Sequence, residues 1–193
     1  MAINDADALD RADMQQLQAG DDDALNRLMT RHANPVASFI FRMVAHESDA
    51  EELAQETFVR LYRARDSYRP EARFTTWLFT IAANLARNEL RRRARHPNVS
   101  LDAPDDHNQN LADRLPTHGQ APDQVLTTEE RHAQVRAAVA KLPEDLREAL
   151  VLCEWEEMSM AEAADVLRTT AKAVESRLYR ARNLLRDRLR RWL

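Results

Sequence analysis

The chain has 193 residues, 44% of them hydrophobic and only two of them glycine, with a formal net charge of −4. This length allows one or two small domains with cores of their own, and an Ala-, Leu-, Arg- and Glu-rich, glycine-poor composition favours helices over sheets. No apolar run approaches the ~20 residues that span a bilayer, the start MAINDADALDRAD is acidic, and a single cysteine builds neither a disulfide framework nor a cysteine zinc site. An all-α protein of the cytosol is expected, with Cys153 buried and reduced inside the run LVLC.

In chain order, Leu25, Leu28, Met29, Val36, Phe39, Ile40, Met43 and Val44 recur at helical spacing, with Asn34-Pro35 marking a break or kink. Ser48-Asp49-Ala50-Glu51 reads as a capping box opening the next helix. That helix turns Leu53, Thr57, Phe58 and Leu61 inward and leaves Asp49, Glu52, Gln55 and Glu56 on another face. A turn over residues 67–73 precedes a helix that begins near Thr75 or Thr76. Trp77, Leu78, Ile81, Leu85 and Leu90 are its inward side, and Asn84, Arg87, Asn88 and Arg91 its outward side. Residues 96–124 hold four prolines and no usable periodicity, which predicts a linker between domains at 1–95 and 125–193.

Beyond the linker, Val135, Val139 and Leu142 close one helix, and Pro143-Glu144-Asp145 opens another with residues suited to a helix N-terminus. Ser159 and Thr170 are placed as N-caps of two short helices, from Met160 to Leu167 and from Ala171 onward. Two capped helices separated by three residues have the dimensions of a helix-turn-helix. Its second helix would present Lys172, Ala173, Ser176, Arg177 and Arg180 to a DNA major groove, with Val174, Leu178 and Leu185 facing the core.

The net charge hides a strong alternation: −8 over residues 1–59, +7 over 60–95, −6 over 96–130, −4 over 131–167 and +7 over 168–193. Two basic patches separated by acid suggest two contacts with a polyanion and one with something else. In the first patch the arginines are interleaved with Tyr68, Phe74, Trp77 and Phe79, a mixture that suits phosphates and unstacked bases. No phosphate-binding glycine loop can be built from Gly20 and Gly119. The lone pair Glu129-x-x-His132 falls short of a di-iron bundle site, so neither metal, cofactor nor enzymatic reaction is expected.

Two blocks carry a family resemblance. DAEELAQETFVRLYRARDSYRPEARFTTWLFTIAANLARNELRRR resembles region two, and LPEDLREALVLCEWEEMSMAEAADVLRTTAKAVESRLYRARNLLRDRL region four, of bacterial RNA polymerase sigma factors of the extracytoplasmic function (ECF) group in the sigma-70 family. The resemblance implies that Asp49, Glu52, Gln55 and Glu56 dock on the clamp helices of the polymerase core. It implies that Tyr68, Arg69 and Arg73 form the pocket for a flipped minus-ten base, and that Asn84, Arg87, Asn88 and Arg91 track the same strand. Thr170, Lys172, Ala173, Ser176, Arg177 and Arg180 would read minus-thirty-five duplex, with region four resting on the polymerase flap. An anti-sigma protein is an expected further partner. Two positions depart from the family pattern, Arg168 at the start of the turn and Glu175 on the recognition helix. The competing reading, a dimeric helix-turn-helix repressor or activator, explains residues 159–182 but leaves the arginine-aromatic loop and the acidic helix without a purpose.

Overall fold

The computed structural model describes residues 5–95 and 122–190, and every regular element among them is helical. The N-terminal group is α1 (Asp5–Gln18), α2 (Asp23–Val44), α3 (Glu47–Arg63), a 3-10 turn (Arg65–Ser67) and α4 (Phe74–Arg95). The C-terminal group is α5 (Pro122–Ala140), α6 (Glu144–Glu154), α7 (Met160–Leu167) and α8 (Ala171–Leu189). The all-α expectation holds. Of the span read as linker, residues 122–124 belong to α5, which Pro122 opens from a position where its missing N–H costs nothing. The rest of that span, 96–121, lies outside the described residues.

Helix α2 runs unbroken through Pro35, so of the break or kink expected there the break does not occur. Leu28 lies before the proline and Val36, Phe39, Ile40 and Met43 after it, all fully buried on one face. Burying such side chains contributes about 1.5–3 kcal/mol each, enough to offset the ~3 kcal/mol of an internal proline. Phe39 meets Phe79 of α4 edge-on, with ring centroids 5.3 Å apart. Ala82, Ala83 and Ala86 are wholly buried on α4, small residues that let neighbouring helices approach closely.

Helix α3 starts two residues earlier than the sequence suggests. Glu47 is its first residue and His46 its N-cap, so Ser48 is already helical and its hydroxyl lies 3.1 Å from His46 Nδ1. The expected capping box does not form there. It does form at Ser159, whose hydroxyl accepts from the Glu162 N–H while the Glu162 carboxylate accepts from the Ser159 N–H. Thr170 likewise caps α8 by accepting from Ala173 N–H.

Between α7 and α8 the chain turns at Arg168, which sits in the left-handed region at φ 51° and ψ 51°. A side chain there costs about 1–2 kcal/mol, and glycine escapes most of that at some cost in unfolded-chain entropy. Arg168 is exposed. Arg168→Gly is therefore expected to raise stability by about 0.5–1 kcal/mol, measurable by thermal melts.

The two groups pack against each other, α4 on α7 and α2 on both α5 and α6, and share one continuous apolar cluster. Cys153 lies at its margin, partly rather than fully buried, and burial pushes its thiol pKa up. Val135 is exposed on α5, whereas Val139 and Leu142 are buried.

Candidate nucleic-acid and polymerase interfaces

The acidic face of α3 forms as expected, because Ala50, Ala54, Thr57, Phe58 and Leu61 occupy the opposite side. Glu52 and Gln55 are exposed. Glu56 accepts from Arg60 at 2.8 Å, one turn along, and Asp49 is held by Arg93 of α4. Arg93 also reaches Glu89 and the carbonyl of Val44, so it ties three helices together rather than facing solvent. Val59, 41% exposed, extends the same surface with an apolar element that periodicity alone assigns to no partner.

The loop between α3 and α4 is built around Tyr68. Its ring is 2% exposed and sits against Trp77 and Phe74, with centroids 5.2 and 6.1 Å away. Its hydroxyl donates to the carbonyl of Ala72 at 3.2 Å, and burial raises the phenol pKa. Gln18 of α1 donates to the carbonyls of Arg65 and Tyr68 at 2.8 and 3.3 Å, pinning the loop from below. Enclosed in this way, the ring presents no open face in this structure. An aromatic in a loop can reach the core as easily as solvent, and α1 supplies the wall that encloses it. Arg69 stays exposed, and its guanidinium donates to the carbonyls of Asp66 and Tyr68.

On α4, Asn84 and Arg87 are joined at 2.7 Å and are partly buried, while Asn88 and Arg91 are exposed. Arg60, Arg63, Ala64, Ile81 and Asn84 line a shallow groove between α3 and α4. Arg60 and Arg63 were missed as candidate residues, although they stand in the strongly basic segment and differ by three positions, the spacing of one helix face. Arg73 and Arg87 are not free. Arg73 pairs with Glu162 of α7 at 2.8 Å, and Arg87 lies 3.4 Å from Glu148 of α6.

On α8, Lys172, Ser176 and Arg180 are exposed together with Glu175, as the helix-turn-helix reading requires. Thr170 is exposed as the cap, and Ala173 is partly buried. Arg177 turns back toward α6, its Nε 3.6 Å from Asp145, and Arg180 lies 3.8 Å from the same carboxylate. Tyr179, 69% exposed, belongs to this face and was overlooked. Its spacing of three from Ser176 and seven from Lys172 is the signal that places it there.

Comparison with known proteins agrees with this layout. Residues 28–96 match the family described as Sigma-70 region 2, and residues 132–185 the family described as Sigma-70, region 4. The RNA polymerase sigma-H factor of Pseudomonas aeruginosa is 33% identical over 172 residues, 89% of each chain. The ECF RNA polymerase sigma-E factor of Escherichia coli K12 is 35% identical over 177 residues, 91% of this chain and 92% of that one. Among solved structures, CnrH in complex with the cytosolic domain of CnrY superposes with a TM-score of 0.69 at 30% identity, covering 94% of this chain and 97% of that one. Helix α1 precedes the region 2 match yet shares the core with it through Met14 and Leu17. The chain belongs to the sigma-70 family of RNA polymerase sigma factors, in its ECF group.

Proposed function

We propose that this chain binds the RNA polymerase core through the α3 face of Asp49, Glu52, Gln55 and Glu56, and directs transcription initiation at a specific set of promoters. Arg69, Arg73, Asn84, Arg87, Asn88 and Arg91 contact the minus-ten strand. Lys172, Ser176, Arg177 and Arg180 read minus-thirty-five duplex from α8, with Thr170 and Ala173 at its N-terminus. Tyr68 shapes the loop that carries Arg69 and Arg73. Within this reading residues 1–95 and 125–193 are the two working domains, the protein acts in the cytoplasm without catalysing a reaction itself, and an anti-sigma protein restrains it. That last partner is supported by the likeness to CnrH, solved with the cytosolic domain of CnrY.

The observation that carries the reading is the juxtaposition of opposite charges on adjacent helices. Glu52 and Gln55 stand exposed on α3, and Asn88 and Arg91 on α4. Carboxylates beside a DNA path repel phosphate, so the α3 face suits a protein and the α4 face suits the strand. A dimeric duplex-binding repressor has no use for that pair of faces.

Run-off transcription with purified core polymerase over a genomic fragment library tests the class: promoter-specific transcripts that require this protein are expected. The dock is tested by reversing Glu52 and Glu56 to Lys, which should weaken retention on immobilised core by about tenfold, some 1.4 kcal/mol. The fold should persist, because neither side chain belongs to the buried stripe. Wild-type retention by the double variant would refute the α3 assignment.

A further inference from the structure

Helix α1 lies ahead of the stretch that matches region 2, yet its last residue reaches the loop between α3 and α4. Gln18 Nε2 stands 2.8 Å from the carbonyl oxygen of Arg65 and 3.3 Å from that of Tyr68. An amide nitrogen carries two hydrogens, so one side chain serves both oxygens, and only the nitrogen end of the amide can face them. Each carbonyl then uses both of its lone pairs. The Arg65 oxygen also accepts from the Tyr68 N–H at 3.1 Å, and the Tyr68 oxygen from Arg69 Nη1 at 3.3 Å.

The backbone of Gln18 is a fixed base for this clamp. Met14 and Leu17 of the same helix are wholly buried, and Asp13 is paired with Arg27 of α2 at 2.6 Å. The helix ends in a tight turn in which Gly20, at φ 98°, lets the Asp21 N–H reach back to the Gln16 carbonyl at 3.0 Å. Just beyond it, Asp22 accepts from the Tyr62 hydroxyl at 3.0 Å, and the Arg65 guanidinium covers the Tyr62 ring at 4.4 Å. The end of α1 and the end of α3 are thus joined at two points, Asp22 with Tyr62 and Gln18 with Arg65.

The loop itself has little else to hold it. Asp66, Ser67, Arg69, Pro70, Glu71 and Ala72 are exposed, and Tyr68 is the side chain it buries. Among the described residues, every other hydrogen bond to the backbone of residues 64–73 comes from a partner no more than four positions away. Such local bonds keep each turn but do not fix the loop against the helices, and loops of this kind open at little cost. The Tyr68 ring anchors one point. Gln18 fixes the peptide between Tyr68 and Arg69, whose carbonyl is the one that the Arg69 guanidinium rests on.

We propose that Gln18 is a positioning residue for the minus-ten strand: by holding the Arg65 and Tyr68 carbonyls to α1 it aims Arg69, whose guanidinium then meets a strand phosphate without the cost of first ordering the loop. The inference rests on the assignment of Arg69 to that strand. It extends the minus-ten site to a residue ahead of the region 2 match.

The test is a double-mutant cycle in preformed holoenzyme. Gln18→Met keeps the length of the side chain and its helix propensity and removes the donor. Arg69→Ala removes the group that Gln18 aims. Wild type, both single variants and the double variant are each assembled with core polymerase. Each is titrated with a fluorescent oligonucleotide carrying the non-template minus-ten strand of a promoter recovered by run-off transcription. Gln18→Met should bind about fivefold more weakly, the worth of one to two hydrogen bonds, and should cost less than about twofold when Arg69 is already alanine. Retention on immobilised core and binding of duplex minus-thirty-five DNA should match wild type, because those contacts are assigned to α3 and α8. Wild-type strand binding by Gln18→Met overturns the proposal, and so do equal losses in both Arg69 backgrounds, the mark of a general weakening of the fold. Should Gln18→Met melt early, the cycle is read at a temperature where circular dichroism shows all four proteins folded. Failure of the functional reading is seen separately and first. A wild-type holoenzyme that yields no promoter-specific transcript removes the strand assignment of Arg69, and the proposal falls with it, whereas transcription by the wild type with an uncoupled cycle removes only the role of Gln18.

Discussion

Tyr68→Ala should unfold the N-terminal domain at temperatures where the wild type is intact. The ring is among the largest fully buried side chains, enclosed by Phe74 and Trp77 and fixed through its hydroxyl to Ala72. Truncating an aromatic in such a site costs about 3–5 kcal/mol, transfer and cavity terms together. For a domain of this size that lowers the melting temperature by more than about 10 °C. Tyr68→Phe keeps the ring and loses a single hydrogen bond, worth about 1 kcal/mol, and the Ala72 carbonyl it abandons belongs to an exposed residue that water reaches. The two substitutions should therefore separate widely in a thermal melt. The same pair distinguishes core anchor from base contact. A Tyr68→Ala protein that melts with the wild type yet fails to open promoters, as seen by permanganate footprinting, would mean that the ring leaves the core to meet the base.

Much of the architecture was legible because the apolar periodicities are strong. The buried faces of α2, α3 and α4 consist largely of residues that recur at helical spacing, and the caps at Ser159 and Thr170 are side chains whose local chemistry admits few alternatives. What escaped was long-range. Helix α1 looks like an acidic, solvated segment, but Asp10 and Asp13 face Arg31, Asp13 also receives Arg27, and Asp10 lies 2.9 Å from His32. Asp10 is 2% exposed. Charges on α2 that turn a polar helix into a buried one cannot be assigned before the helices are placed together. Pro35 shows the converse, a strong local signal overridden by burial on both sides of it.

Of the candidate interfaces, the faces were legible and the states of their side chains were not. Spacing correctly groups Glu52 with Gln55 and Lys172 with Ser176 as exposed neighbours. It cannot reveal that Arg73, Arg87 and Arg177 are already paired, since their carboxylates come from residues 162, 148 and 145. The burial of Tyr68 was illegible for the same reason: an arginine-rich loop suggests exposure, whereas the neighbouring Phe74 and Trp77 and the reach of Gln18 from α1 decide burial.

The stability of the folded chain should rise as the pH falls from about 8 to about 6. Burial pushes the Glu148 carboxyl up to about 7, reinforced by Glu144 and opposed by Arg87, Arg177 and Arg91, and it pushes Glu156 up to about 7 against the opposing charge of Arg42. Both shifts are upward from the ordinary carboxyl value of 4.5. Between that value and 7 the folded state keeps protons that the unfolded chain has released. The stabilisation is thus complete below about pH 4.5 and is lost as the pH rises through 7. For the nearly inaccessible Glu148 the loss by about pH 8 is on the order of 3 kcal/mol. Asp13, Glu89 and Glu162 work in the opposite sense. Burial opposes the downward shift of Asp13 and Glu162, but Arg27 and Arg31 outweigh it for Asp13, and Arg73 and Ser159 for Glu162; Glu89 is lowered chiefly by its bond from Arg92. Their contributions are present above the ordinary carboxyl range and vanish as acid protonates them. The two sets cross to give a maximum near pH 5–6, within the usual range for globular proteins. Glu148→Gln fixes one group in its neutral form, so the variant should flatten the fall in melting temperature above about pH 6 and be more stable than wild type at about pH 8. Identical pH profiles for the two proteins would show that Glu148 meets water in solution and that its approach to Arg87 is not kept.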